Sequence, residues 1–207
     1  MAQFFTIYPT NINSRLIRQA ADILRAGGIV VYPTDSCYAL GCHLDDKNAV
    51  ARIRKIRQLD EQHHLTLMCR DLSEIAKYAR VDNQNFRLLK SHTPGNYTFI
   101  LEATKEVPKR VQHPKKSTIG MRIPDHPVAL ALLEELGEPM LSSTLILPDE
   151  AWPLNDAETI RELLESQVDA VIDGGAAGLD FTTVIDLTGD TPVLLRQGAG
   201  DASAFGV

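Results

Sequence analysis

Cations are the residues of this 207-residue chain whose types and spacing most readily support chemistry. The stretch RIRKIRQLDEQHH places Arg52, Arg54, Lys55 and Arg57 at the end of a helical pattern. The connection 105–122 carries Lys105, Lys109, Arg110, Lys115, Lys116 and Arg122 against Glu106 alone. Guanidinium and ammonium groups that converge hold phosphate or carboxylate, and Lys55 and Arg57 could do so if the chain turns at Gln58. The same residues also complement a helix C-terminus, or solvate a loop, with no ligand present.

Other chemistry is poorly provided for. Cys37, Cys42 and His43 lack a second ligand pair at zinc-site spacing, so no protein-held metal is expected. Neither Cys37 nor Cys42 has an identifiable basic partner that would make it a nucleophile. There is no P-loop and no Gly-x-Gly-x-x-Gly after a strand. DGGAAGLDFTT, 173–183, does follow a strand pattern, and its glycines would let backbone amides approach a phosphate or simply make a turn.

These groups need elements to position them. Hydrophobic residues at 44% and charged residues at 23% are values of a globular chain with one sizeable core. The net charge of −6 restricts nucleic-acid contact to a local patch. Three cysteines make no even disulfide framework, no leader pattern opens the chain, and no run of 18 apolar residues occurs, so a soluble cytoplasmic protein is expected.

Periodicity predicts a helix over 14–25 ending at Gly27 and Gly28, then a strand in GIVVYP. A second helix capped by Asp45 or Asp46 follows, with a strand in LTLMC and a helix begun by the capping box DLSE. YTFILEA, TIGMRIP, PMLSSTLIL, AVIDGG, TTVIDL and PVLLR read as strands, with helices in HPVALALLEELG and around 157–166. Intermixed helices and strands, closed by a hairpin-like pair around TGDT, predict a single-domain α/β fold over 1–207 with a mixed sheet layered by helices.

Seven separated motifs then form a set: YPTDSCYALGC, KIR, PGNYTFIL, STIGMRIPDHP, VDAVIDGG, TTVIDL and VLLRQGAG. In type and order the chain resembles the YrdC family, to which the threonylcarbamoyl-adenylate synthases belong, and within it the YciO branch. The resemblance runs from about residue 14 to 200. It implies a twisted sheet with a concave, positively charged face. It also implies an enzyme that converts threonine, bicarbonate and ATP into threonylcarbamoyl-AMP and pyrophosphate, the donor for a modified adenosine in tRNA.

By that resemblance Lys55 and Arg57 would neutralise phosphate and carbamate oxygens, and Arg122 would pair with the carboxylate of threonine. Thr34, Tyr38 and Thr118 would line the amino-acid pocket. Ser143, Thr182 or Thr183, and Arg196 would contact the nucleotide, with Mg²⁺ carried on the ATP phosphates.

The chain departs from its relatives in two places. Aligned on GEP, Leu145 stands where active synthases carry the asparagine of a Ser-x-Asn element, while Ser143 keeps the serine. After Lys55 the sequence RQLDEQHHL replaces a short lysine-bearing turn, and His64 is the candidate for that lysine's place. These changes favour keeping a second reading open. In it the chain binds double-stranded RNA or tRNA through Lys109, Arg110, Lys115 and Lys116 without efficient catalysis.

Overall fold

The Asn13 side chain accepts from the amides of Arg15 and Leu16 and so starts helix α1, Ser14–Arg25. The chain then turns at Gly27, whose φ of 84° suits a residue without Cβ. The same device recurs. Asp46, Asp71, Asp82 and Asp156 cap α2 (Lys47–Arg57), α3 (Leu72–Tyr78), α4 (Asn83–His92) and α6 (Ala157–Leu164) through side-chain oxygens. His126 caps α5 (Pro127–Leu136), which stops at Gly137 with φ 78°. The computed structural model describes residues 1–207.

The strands are β1 (Gln3–Thr6), β2 (Val30–Tyr32), β3 (Ala39–His43), β4 (Thr66–Met68) and β5 (Tyr97–Glu102), then β6 (Thr118–Arg122), β7 (Met140–Thr144), β8 (Ala170–Asp173), β9 (Thr183–Asp186) and β10 (Val193–Arg196). They form one sheet in the order β1-β8-β2-β3-β7-β4-β6-β5-β9-β10. Parallel pairs such as β2 with β8 and β4 with β6 alternate with antiparallel ones such as β3 with β7 and β9 with β10. The sheet is therefore mixed, and the expected α/β architecture is observed.

Side-chain alternation divides the core between the two faces. Val30 and Tyr32 join Ile17, Leu24, Val128 and Leu132 under α1 and α5. Val31 and Leu40 join Ile53, Ile75 and Leu89 in the larger cluster on the other face, beneath α2, α3 and α4.

Every strand expected from the sequence is present, as is each expected helix. The structure adds β1, β3 and α4. Strand β3 has the sequence ALGCH, with no apolar alternation to mark it. Its Gly41 is required by packing, since a Cβ there would lie 2.4 Å from Met140 Sδ.

No helix is long and apolar enough to cross a membrane.

Candidate functional site

The order of strands brings three distant loops to one place. The segment 33–38 leaves β2 and returns as β3, next to β7, with β4 and β6 beyond. Ser143 pairs with Leu40, and Arg122 with Met68, so residues about 100 positions apart share one rim.

Within the first loop Thr34 is the organising group. Its Oγ1 accepts from the amides of Ser36 and Cys37, at 3.1 and 3.2 Å, and donates to the Cys37 carbonyl at 2.6 Å. This is a hydroxyl turn that holds the neighbouring side chains in place. Ser36 Oγ accepts from Arg122 Nη1 at 3.0 Å, and Asp35 takes Nη2 of the same guanidinium. Arg122 is thus buried and charge-paired, yet its Nε has no partner.

A cavity of about 330 Å³ opens beside this loop. Its volume lies at the small end of ligand sites. Thr34, Arg57, Arg122, Ser143, Thr182 and Arg196 all line it, and no aspartate or glutamate does.

Arg57 reaches it from the last turn of α2, where Gln58 turns the chain with φ 50°. Its Nε donates to Ser143 Oγ at 3.2 Å, and its Nη1 donates to the Ile146 carbonyl. Arg196 donates through Nε and Nη2 to the Thr182 carbonyl at 3.0 and 2.9 Å, with its guanidinium 5.1 Å from the centre of the Phe181 ring. Neither arginine has a carboxylate partner, and burial lowers the pKa of both. Two half-buried cations without a counterion, facing one cavity, make a strong site for an anion.

The remaining residues singled out in the sequence have other positions. Lys55 is exposed on α2 and outside the lining, because residues two apart on a helix point in different directions. Tyr38 is buried. Its hydroxyl donates to the Gly175 carbonyl at 2.6 Å and accepts from the Gly174 amide at 3.2 Å, and burial pushes its pKa up to about 12. It ties the glycine loop to the first loop, and Gly178 completes that contact, since a Cβ there would lie 2.4 Å from the Ser36 carbonyl.

Thr118 lies behind the wall, 2.9 Å from His64 Nε2. Of the two adjacent threonines, Thr182 faces the cavity and bonds Thr98 at 2.8 Å. Thr183 bonds the Gly198 amide and the Gly200 carbonyl.

Leu145 is fully buried in the larger core cluster and is absent from the cavity wall, which this strand lines with Ser142, Ser143 and Thr144. In the alignment on GEP, the position matched to the asparagine therefore points into apolar packing.

Of the basic connection, Arg110 is held by the Asp45 carbonyl at 2.6 Å, while Lys109, Lys115 and Lys116 are exposed. No three His, Cys, Asp or Glu side chains are grouped to hold a metal ion.

Several lining residues carried no signal in the sequence. Ser36, Ser142, Thr144, Thr66 and Thr98 sit in strands or loops where a hydroxyl is unremarkable, and only the sheet order makes them neighbours.

Comparison with known proteins agrees with the fold. The sequence model of the family described as Sua5_yciO_yrdC, telomere recombination, matches residues 22–198. The protein YciO of Escherichia coli is 59% identical over 99% of this chain and all of its own length, and its crystal structure superposes with a TM-score of 0.96. A threonylcarbamoyl-AMP synthase of Halorhodospira halophila is 31% identical over 82% of this chain and 88% of its own. The structure of Pyrococcus abyssi Sua5 complexed with L-threonine matches with a TM-score of 0.87 at 29% identity, over 94% of this chain and 57% of that one.

Proposed function

The chain belongs to the Sua5_yciO_yrdC family, and from that membership we propose that it binds ATP, threonine and bicarbonate and converts them to threonylcarbamoyl-AMP and pyrophosphate. The observation that carries this reading is the pair Arg57 and Arg196, half-buried, unpaired with any carboxylate, and lining one cavity. Threonine carbamate and the α-phosphate of ATP are both anionic and repel one another in water. Fixed guanidinium groups would offset that repulsion and stabilise the charge that builds up as the new bond forms.

In this reading Arg57 and Arg196 hold phosphate and carbamate oxygens. Thr182 and Ser143 orient the two arginines, and Arg122, whose paired guanidinium also lines the cavity, would meet the threonine carboxylate. Thr34 shapes the loop that presents Ser36, and Lys55 contributes long-range charge from outside the wall. The cavity's donors are hydroxyls, guanidiniums and imidazoles, so Mg²⁺ fits this site only as an ion held by the ATP phosphates. The product would serve tRNA modification.

The test is incubation with ATP, bicarbonate and a panel of amino acids, followed by detection of pyrophosphate and the adenylate. Threonine-dependent product is the expected result. No product with any amino acid would remove the reading.

A second reading, binding of tRNA or double-stranded RNA, rests on Lys109, Lys115 and Lys116, which are exposed and make no ion pair. Its mark would be an RNA shift that weakens steeply with salt, with a slope reduced when the three are neutralised. Salt-insensitive or absent binding would exclude it.

A further inference from the structure

We infer that His64 is the group that takes up the proton released when the substrate amine becomes a carbamate. The inference rests on the proposed synthase reading. Its first support is the balance of that step. An ammonium and a bicarbonate give a carbamate, one water and one proton: the C–N bond forms, a C–O bond of bicarbonate breaks, and the departing oxygen leaves as water. The amine must lose its proton before its lone pair can attack, so a base beside the ammonium is needed.

The second support is elimination among the groups that face or adjoin the cavity. Arg57, Arg122 and Arg196 are cations and accept nothing. Asp35 adjoins the cavity, but its carboxylate is committed to Arg122. The Cys37 thiol is buried, and burial raises its pKa, so it stays protonated. The hydroxyls of the lining serines and threonines, Thr34 and Thr66 included, and the Gln62 amide are too weakly basic. His63 and His64 are what remains. His63 is exposed, and its ring makes no hydrogen bond, whereas His64 is half-buried and anchored at 2.9 Å to Thr118 Oγ1.

In the inferred state the ring proton sits on Nε2. With Nε2–H donating to Thr118, the lone pair lies on Nδ1, which has no protein partner and is not buried. The ring is kept neutral by its surroundings. Burial lowers its pKa first, and His113, Lys116 and His63 add to this, with Asp186 opposing. The His113 ring lies 4.8 Å away, centre to centre.

A neutral imidazole among arginines is a base that does not itself need deprotonating near neutral pH.

The experiment compares the unaltered protein with His64→Asn and His64→Gln, measuring threonylcarbamoyl-AMP formation from pH 5.5 to 9 at fixed bicarbonate. ATP affinity is measured by calorimetry on the same samples. Taking the ratio of the two rates cancels the effects of pH on bicarbonate and ATP.

With a base, the rate follows the product of ammonium and neutral imidazole. Without one, it follows the free amine. The unaltered protein should therefore be about 100-fold faster near neutral pH. That ratio should fall toward one as pH rises toward the pKa of the substrate amine, with ATP affinity changed less than about threefold. Added imidazole should restore part of the variants' rate. A ratio that does not change with pH, or variants as fast as the unaltered protein at pH 7, would overturn the inference while leaving the synthase reading in place. Absence of product from the unaltered protein would overturn both.

Discussion

The Asp35 carboxylate lies against the Arg122 guanidinium with both side chains nearly sealed from water, at 10% and 6% exposure. Asn96 completes the arrangement: with its amide assigned so that the nitrogen faces the carboxylate, it donates to Asp35 Oδ2 at 3.1 Å. This pair separates the cavity's arginines into one that is neutralised within the protein and two that are not.

Removing one member of such a pair strands the other's charge. Asp35→Asn should destabilise the fold by about 3–5 kcal/mol, and Asp35→Asn with Arg122→Gln by less than either single change. Urea unfolding of the three variants measures this. Additive losses would show that the two side chains are not coupled.

Arg57 and Arg196 should behave in the opposite way. Neither has a carboxylate to strand, so Arg57→Ala and Arg196→Ala should each leave stability within about 1 kcal/mol. They should lower threonine-dependent pyrophosphate release by about 10- to 100-fold, the effect of losing a charged hydrogen bond. Arg57→Lys should not restore the rate, because one ammonium cannot span Ser143, Ile146 and a ligand. Unchanged turnover in both alanine variants would remove the anion site.

Leu145→Asn tests whether the family asparagine could simply be returned at this position. With its side chain fully buried in the apolar core, the change should cost about 2–4 kcal/mol and leave turnover per folded molecule no higher. A gain in turnover would mean that the residue reaches the cavity after all.

His126 gives the fold an acid-sensitive helix cap. Its Nδ1 accepts from the Val128 amide at 3.2 Å, which requires an unprotonated nitrogen, and burial lowers its pKa. A histidine with a lowered folded pKa contributes stability above the unfolded value near 6.5 and loses it as pH falls below that. Thermal unfolding at pH 7.5 and 5.5 should show a larger drop in Tm for the unaltered protein than for His126→Asn, which keeps an acceptor that does not titrate. Equal drops would show that the cap is not the sensor.

Much of the fold could be read from local physics. Helix α1 was legible over 14–25 because its apolar face and the glycines that follow it mark the same segment, while the Asn13 cap was shown by the structure. The hairpin of β9 and β10 was marked by TGDT between two apolar runs. Strand β3 was not legible, since ALGCH is buried from Ala39 to Cys42 with no alternation, and β7, one of its two partners, lies about 100 residues away.

The site followed the same rule. Arg57, Arg122 and Arg196 announce themselves by charge and motif, but which of them is neutralised depends on Asp35, a turn residue by sequence. Lys55 could not be separated from Arg57 without the phase of the helix. Tyr38 and Thr183 share motifs with cavity residues while bonding loop backbone instead.

The central claim is that this cavity holds ATP and an amino acid together, and calorimetric titration of ATP and then L-threonine into the unaltered protein tests it most directly. The account predicts saturable binding of ATP, binding of threonine to the ATP-loaded protein, and loss of the ATP signal in Arg57→Ala combined with Arg196→Ala. Absence of binding by either ligand, or ATP binding undiminished in that double variant, would contradict it.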